Sequence, residues 1–123
     1  PEALRHAVVA KNQPILRATL SSYRHQIAAA LVRDDAVAVN HRLAAMLASY
    51  CDILFAVNRQ PHPGEKRLIA FAEHHCPQRP PAMAADLRQV LAAGATMDPT
   101  LLGHLDRALD GLDALLMAEG LLA

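Results

Sequence analysis

The chain of 123 residues has no tryptophan, two phenylalanines, two tyrosines and two cysteines. Aromatic residues make up 3% of it. With few β-branched residues beside them, that is too little for an all-β domain, whose strands draw on both types. Two cysteines, Cys51 and Cys76, do not make a disulfide scaffold, so a reduced cytoplasmic setting is the expectation. A surplus of charge is lacking as well: 12 basic residues balance 12 acidic ones, and the isoelectric point is about 7.5. With no basic excess to neutralise phosphates, a dedicated nucleic-acid-binding role is disfavoured. Apolar runs such as 27–32 fall far short of the roughly 20 residues that a membrane span needs, so no membrane role is expected. No signal-peptide pattern opens the chain. It starts at Pro1 with no initiator methionine, which fits either methionine removal before proline or a domain of a longer, two-domain protein.

What the chain does contain is helix-forming material. Hydrophobic residues make up 53%, charged residues 20%, and alanine about a fifth. Alanine and leucine lose the least on entering a helix, and this much apolar material argues against disorder. The length suits one domain. Seven histidines make the net charge sensitive to pH between about 5 and 7.

Prolines and caps divide the sequence into helical pieces. A short first helix is expected over 2–11. Asn12 as cap and Pro14 just inside predict the start of a second helix. Its apolar stripe is Leu16, Leu20, Tyr23, Ile27 and Leu31, reaching about residue 32. Asp34 and Asp35 place a cap and negative charge at the start of a long helix over about 35–59. Its inward stripe is Val39, Leu43, Met46 or Leu47, Tyr50, Leu54 and Val57. His62, Pro63, Gly64 and Glu65 read as the start of a fourth helix running to about 75, with Glu65 placed to reach back to the cap. A fifth helix is expected over 82–93, carrying Met83, Leu87, Val90 and Leu91 and closed by Gly94. Asp98 and Pro99 begin a last helix running to about 119, with Leu101, Leu105, Leu109, Leu112 and Leu116 inward. The predicted fold is an all-α, antiparallel up-and-down bundle of four main helices plus one or two shorter ones.

Chemistry-bearing residues concentrate between Ser49 and Arg67. His41, Ala45, Ala48, Asp52, Phe55 and Arg59 follow one another at helical steps and share one face. Small residues flanked by charge form either a close helix contact or the floor of a pocket. A helix start at His62 to Glu65 would present free N–H groups to an anion. The plainer reading makes Asp52 and Arg59 a spaced surface pair and Glu65 a cap. Tyr23, Arg24 and His25 form a second polar group, which read plainly is a solvated face. His74, His75 and Cys76 do not read as a metal site, because neighbours on a helix point about 100° apart and cannot all reach one ion. No histidine pair stands at i, i+4 and no C-x-x-C occurs. Cys51, mid-helix and inward, reads as an inert thiol.

Five segments carry a resemblance: Pro1-Glu2-Ala3-Leu4-Arg5, Ser22-Tyr23-Arg24-His25, Asn40-His41-Arg42, the run from Ser49-Tyr50 to Phe55-Ala56, and His62-Pro63-Gly64-Glu65-Lys66-Arg67. They resemble a helical domain of unknown function found C-terminal to a nucleotidyltransferase domain. The likeness runs from residue 1 to about 88, and its most specific piece is 58–66. More distantly, the chain is similar to the helical substrate-binding domains of aminoglycoside and minimal nucleotidyltransferases. The resemblance implies an upstream catalytic domain with a Gly-Ser or Gly-Gly turn and an Asp-x-Asp pair, holding Mg²⁺ and a nucleoside triphosphate. The present chain has no such motif, since Asp110-Gly111-Leu112-Asp113 lies in a helical pattern with no strand before it. The implied function is a non-catalytic domain that binds a small-molecule or nucleotide substrate, or a partner. Its implied contact residues are Tyr23, Arg24, His25, Asp52, Asn58, Arg59, His62, Glu65 and Lys66. Asp52 or Glu65 would be the acid nearest a base-like role, and Arg59 and Lys66 would contact phosphate or substrate. The implied partners are the upstream domain and, through apolar surface left uncovered, a second copy in a homodimer.

Two other functions fit parts of the sequence. Arg67 and His74 have the Arg-x(4–6)-His spacing of helical RNA-cleaving toxins resembling the higher-eukaryote and prokaryote nucleotide-binding family, although Leu68 stands where that family usually has a polar residue. A purely structural, self-associating bundle is the third reading.

Overall fold

The computed structural model describes residues 1–64 and 66–122. Among them the chain forms helices only: α1 (Glu2–Arg17), α2 (Tyr23–Val32), α3 (Ala36–Val57), α4 (Leu68–His75), α5 (Met83–Ala95) and α6 (Leu101–Ala118). The all-α bundle expected from composition and periodicity is the fold.

The core is organised around α3. Its stripe Val39, Leu43, Met46, Tyr50, Leu54 and Val57 is buried as the spacing predicts, and near its C-terminus Cys51, Ile53 and Phe55 are buried too. A helix apolar on this many sides needs cover from several partners. Arg5 at the start of α1 reaches Val57 at the end of α3, whereas Gln26 in α2 meets Arg42 early in α3. α1 and α2 therefore follow one another along α3, both antiparallel to it. α6 runs antiparallel to α1, with Arg5 bonded to Glu119 and Gln13 to Asp113. The α5–α6 hairpin completes the bundle, and all five leucines of the α6 stripe are buried.

Four expected boundaries move. α1 does not end at residue 11 but continues through Pro14 to Arg17. Asn12 is buried inside it and donates its amide to the Val8 carbonyl at 2.9 Å, instead of capping a new helix. Pro14 removes a single intrahelical donor, while burial of Val9 and Leu16 holds the helix together. The real break lies at residues 18–22, where the Ser22 hydroxyl caps α2 by accepting from the His25 N–H at 3.2 Å. Leu20 sits in that break, outside the stripe assigned to it, and is 86% exposed.

α4 starts at Leu68 rather than at Pro63. Residues preceding proline avoid the helical region, which covers Gln60 and His62, and Gly64 adopts φ +95°. The expected anion-holding helix start at 62–65 is therefore not formed by the described residues, and Glu65 lies outside them. Gly94 does not close α5 but lies within it, where a side chain would run into Leu43 of α3. Its missing Cβ lets the two helices approach.

The left-handed closing turn expected at Gly94 is made instead by Met97, at φ +55°, with Asp98 N–H bonded to Ala93 O at 2.9 Å. The same paired closure ends α2 at Asp34 and α3 at Arg59, with φ of +53° and +54°. Each of these three turns uses a non-glycine residue.

Candidate functional site

On the C-terminal half of α3, Asp52, Phe55 and Ala56 lie on one face, Arg59 follows in the turn that closes the helix, and α1 packs antiparallel beside them. From α1, Leu4, Val8, Lys11 and Asn12 complete a groove of about 440 Å³. Such a volume falls within the range of small-molecule sites. The closing turn at Arg59 reverses the chain so that Gln60, Pro61 and His62 form the third wall. Without that left-handed residue, α3 would not hand the chain back over its own Phe55.

The floor is apolar: Phe55 is buried, and its ring meets His62 edge-on at 5.4 Å and Phe71 at 5.8 Å. The walls are held by charge. Arg5 is buried and donates to Val57 O at 3.3 Å, Glu119 at 3.1 Å and Glu2 at 3.4 Å. Arg59 is hydrogen-bonded to Glu2, and that bond is the main reason the Glu2 carboxyl is held below the usual carboxylate range. Arg5 and Arg59 are thereby occupied in closing α1 onto α3. The Asp52 carboxylate lies 3.9 Å from His62 Nε2, with 46% of its side chain exposed. Among the described residues no carboxylate comes within 4.0 Å of Lys11. The groove thus offers an ammonium group, a carboxylate and an imidazole above an apolar floor.

Glu65 lies outside the described residues, and of the other eight expected contact residues Asp52, Arg59 and His62 share this groove. Asn58 is taken up elsewhere, as its side chain donates to Leu54 O at 2.8 Å and Gln78 O at 2.7 Å and accepts from Gln78 N at 2.9 Å. That clasp fastens the loop before α5 to the end of α3. Lys66 is exposed and does not line the groove. Tyr23 is half-buried against the core. Arg24 makes a two-pronged bond to Asp106 of α6, at 2.7 and 2.9 Å. Arg24 and His25 border a separate depression of about 290 Å³ beside Arg17.

The α1 contribution to the groove, Lys11 above all, was missed by reasoning along the chain. The signal was present, because Leu4, Val8, Lys11 and Asn12 recur at helical steps on one face. It pointed nowhere, however, because a face pattern on one helix does not say which other helix packs beside it.

Other candidates are displaced by the geometry. Burial, helped by neighbouring Asp52, pushes the Cys51 thiol up to about 12, which leaves it without thiolate character near neutrality. Both cysteines are buried and free. Arg67 precedes α4 in a left-handed conformation, at φ +50°, and so does not share a helix with His74. The His74 ring packs against His75, centroids 4.8 Å apart. Among the described residues no group of three or more histidine, cysteine or acidic side chains is arranged to hold a metal ion. No described helix is long and apolar enough to cross a membrane.

No protein-family model matches the chain, no curated protein matches it in sequence, and no solved structure matches it in fold.

Proposed function

We propose that the chain is a helical substrate- or partner-binding domain that works beside a nucleotidyltransferase domain and supplies no catalytic residue itself. The observation that carries this reading is the meeting of Asp52, Arg59 and His62 at one groove. Arg59 and His62 come from residues 58–66, the piece with the most specific resemblance to the nucleotidyltransferase-associated helical domain, and Asp52 comes from the run 49–56 just before it. Lys11 suits an anionic group on a small-molecule or nucleotide acceptor, and Asp52 with His62 suits a hydroxyl or amine on it. Leu4, 60% exposed at the groove rim, gives the catalytic domain an apolar contact. Mg²⁺ and the nucleoside triphosphate belong to that domain under this reading. A cytoplasmic setting goes with it, since two buried free thiols need no oxidising compartment.

The test extends the chain through the coding sequence upstream of Pro1. With Mg²⁺ and a nucleoside triphosphate, the extended protein is expected to release pyrophosphate and the 123-residue chain to release none. Lys11→Gln and Asp52→Asn in the extended protein are expected to lower the rate about tenfold, the size of one lost charged hydrogen bond. Magnesium-dependent transfer by the shorter chain overturns the proposal, and so does an upstream sequence with no Gly-Ser or Gly-Gly turn and no Asp-x-Asp strand.

A further inference from the structure

A third depression, of about 350 Å³, lies between α2 and the start of α3 and shares no residue with the α1–α3 groove. Its polar lining is His25, Gln26 and Arg33 from the α2 side and His41 and Arg42 from α3. Among the described residues no carboxylate lines it. The one acid attached to this cluster, Asp35, caps α3 and bonds Arg33 at 3.1 Å.

Arg42 lacks the partner that most arginines of the bundle have. Most arginines of this bundle end on a carboxylate: Arg5, Arg17, Arg24, Arg33, Arg59 and Arg88 each have one within 4.0 Å. Arg42 is half-buried, and among the described residues its donors go only to neutral acceptors. Nε donates to His41 Nδ1 at 3.1 Å, a second nitrogen contacts the same ring, and a third donates to Gln26 Oε1 at 3.4 Å. A guanidinium has five N–H donors in a planar fork whose best partner is a two-oxygen anion. His41 and Gln26 take up three of the five donors, which leaves one on each terminal nitrogen of an arginine that lines a pocket with two imidazoles and a second guanidinium, and among the described residues no anion meets them.

We propose that the α2–α3 depression is a phosphoryl-binding site, with Arg42 as the two-pronged contact and His25, His41 and Arg33 as the surrounding donors. The ligand is a phosphate dianion, either free or as the monoester of a small molecule. Formal neutrality of the chain means that no long-range field gathers anions. Selectivity then rests on the local fork and imidazoles, and a spherical anion cannot use them equally. The site stands whether or not the α1–α3 groove serves a transferase.

Amide chemical shifts of the ¹⁵N-labelled chain, followed through titration with inorganic phosphate at constant ionic strength, test this. Saturable shifts confined to residues near 25–42 are expected, with chloride at matched ionic strength producing none. Arg42→Gln is expected to weaken phosphate at least about tenfold, and Arg42→Lys, which keeps charge but loses the fork, to fall between. Arg107→Gln, which removes an exposed arginine outside the cluster, should leave the titration unchanged. The circular dichroism of each variant shows whether the helices are retained, and Arg42→Lys keeps the test open should Arg42→Gln unfold. Adenosine monophosphate is the second arm: tighter binding than phosphate identifies a monoester ligand, and equal binding identifies phosphate itself. Shifts scattered over the surface, equal shifts with chloride, or an Arg42→Gln variant that titrates like Arg107→Gln overturn the proposal.

Discussion

Tyr50 lies at the centre of α3 with no exposed surface, and among the described residues its hydroxyl has no hydrogen-bond partner. Burial is the main reason its hydroxyl pKa is pushed up, above the usual tyrosine range. An unpaired buried hydroxyl costs about 1–3 kcal/mol in lost hydration, whereas the ring supplies packing that phenylalanine reproduces. Tyr50→Phe is therefore expected to raise the unfolding free energy by about 1 kcal/mol in urea denaturation. A loss of similar size would show that the hydroxyl is satisfied. Two positions along, Asp52 stays half-exposed and able to meet a ligand, so one helix supplies both core and site within a single turn. This division was readable beforehand, because a 3.6-residue period separates the inward stripe from the face carrying Asp52.

At the scale of elements, periodicity succeeded wherever a helix was continuous. The leucines of α6 and the stripe of α3 are buried as their spacing required. It failed at Leu20, because the same spacing ran unmarked across the break between α1 and α2. Proline and asparagine misled for a physical reason: a proline costs one donor and crowds one carbonyl, which burial of flanking residues such as Val9 and Leu16 offsets, and a buried asparagine can bond back to the carbonyl four residues earlier. The closing turns show the reverse case, since they occur at Asp34, Arg59 and Met97 without the glycine that usually marks them. A left-handed residue with a Cβ costs about 1 kcal/mol, which the paired turn bonds and the following helix offset. Asp34→Gly is thus expected to be about 1 kcal/mol more stable than Asp34→Ala, which keeps the strained conformation and removes the same charge. Thermal unfolding of the two variants checks this, and equal stabilities would contradict it. Arg59 is the position where this device also shapes the groove.

At the scale of the molecule, charge ties the α1–α2 column to α6. Arg17 reaches Asp106, Asp110 and Asp113, while Arg24 grips Asp106 with two bonds. The bond from Arg24 is the main reason the Asp106 carboxyl lies below its usual range. A carboxyl with a depressed folded-state pKa binds fewer protons than in the unfolded chain, so its contribution is fully present above the unfolded value of about 3.9. It is lost as pH falls through the lower folded value. Partial exposure and salt screening keep that contribution small. The stability difference between the parent and Asp106→Asn is expected to be largest near pH 6 and to shrink below about pH 4. A difference that persists unchanged in acid would place the role of Asp106 elsewhere.

The sequence by itself determined the all-α class, the inward stripes of α3 and α6 and the inward placement of Cys51. These depend on composition and on contacts within a few residues, which spacing encodes. Only the tertiary structure decided that α1 packs beside α3 so that Lys11 walls a groove, that Arg24 is occupied by Asp106, and that Arg42 has no carboxylate partner among the described residues. Each depends on which helix lies beside which, and helices separated by tens of residues are paired by the burial of whole faces, which no local pattern specifies.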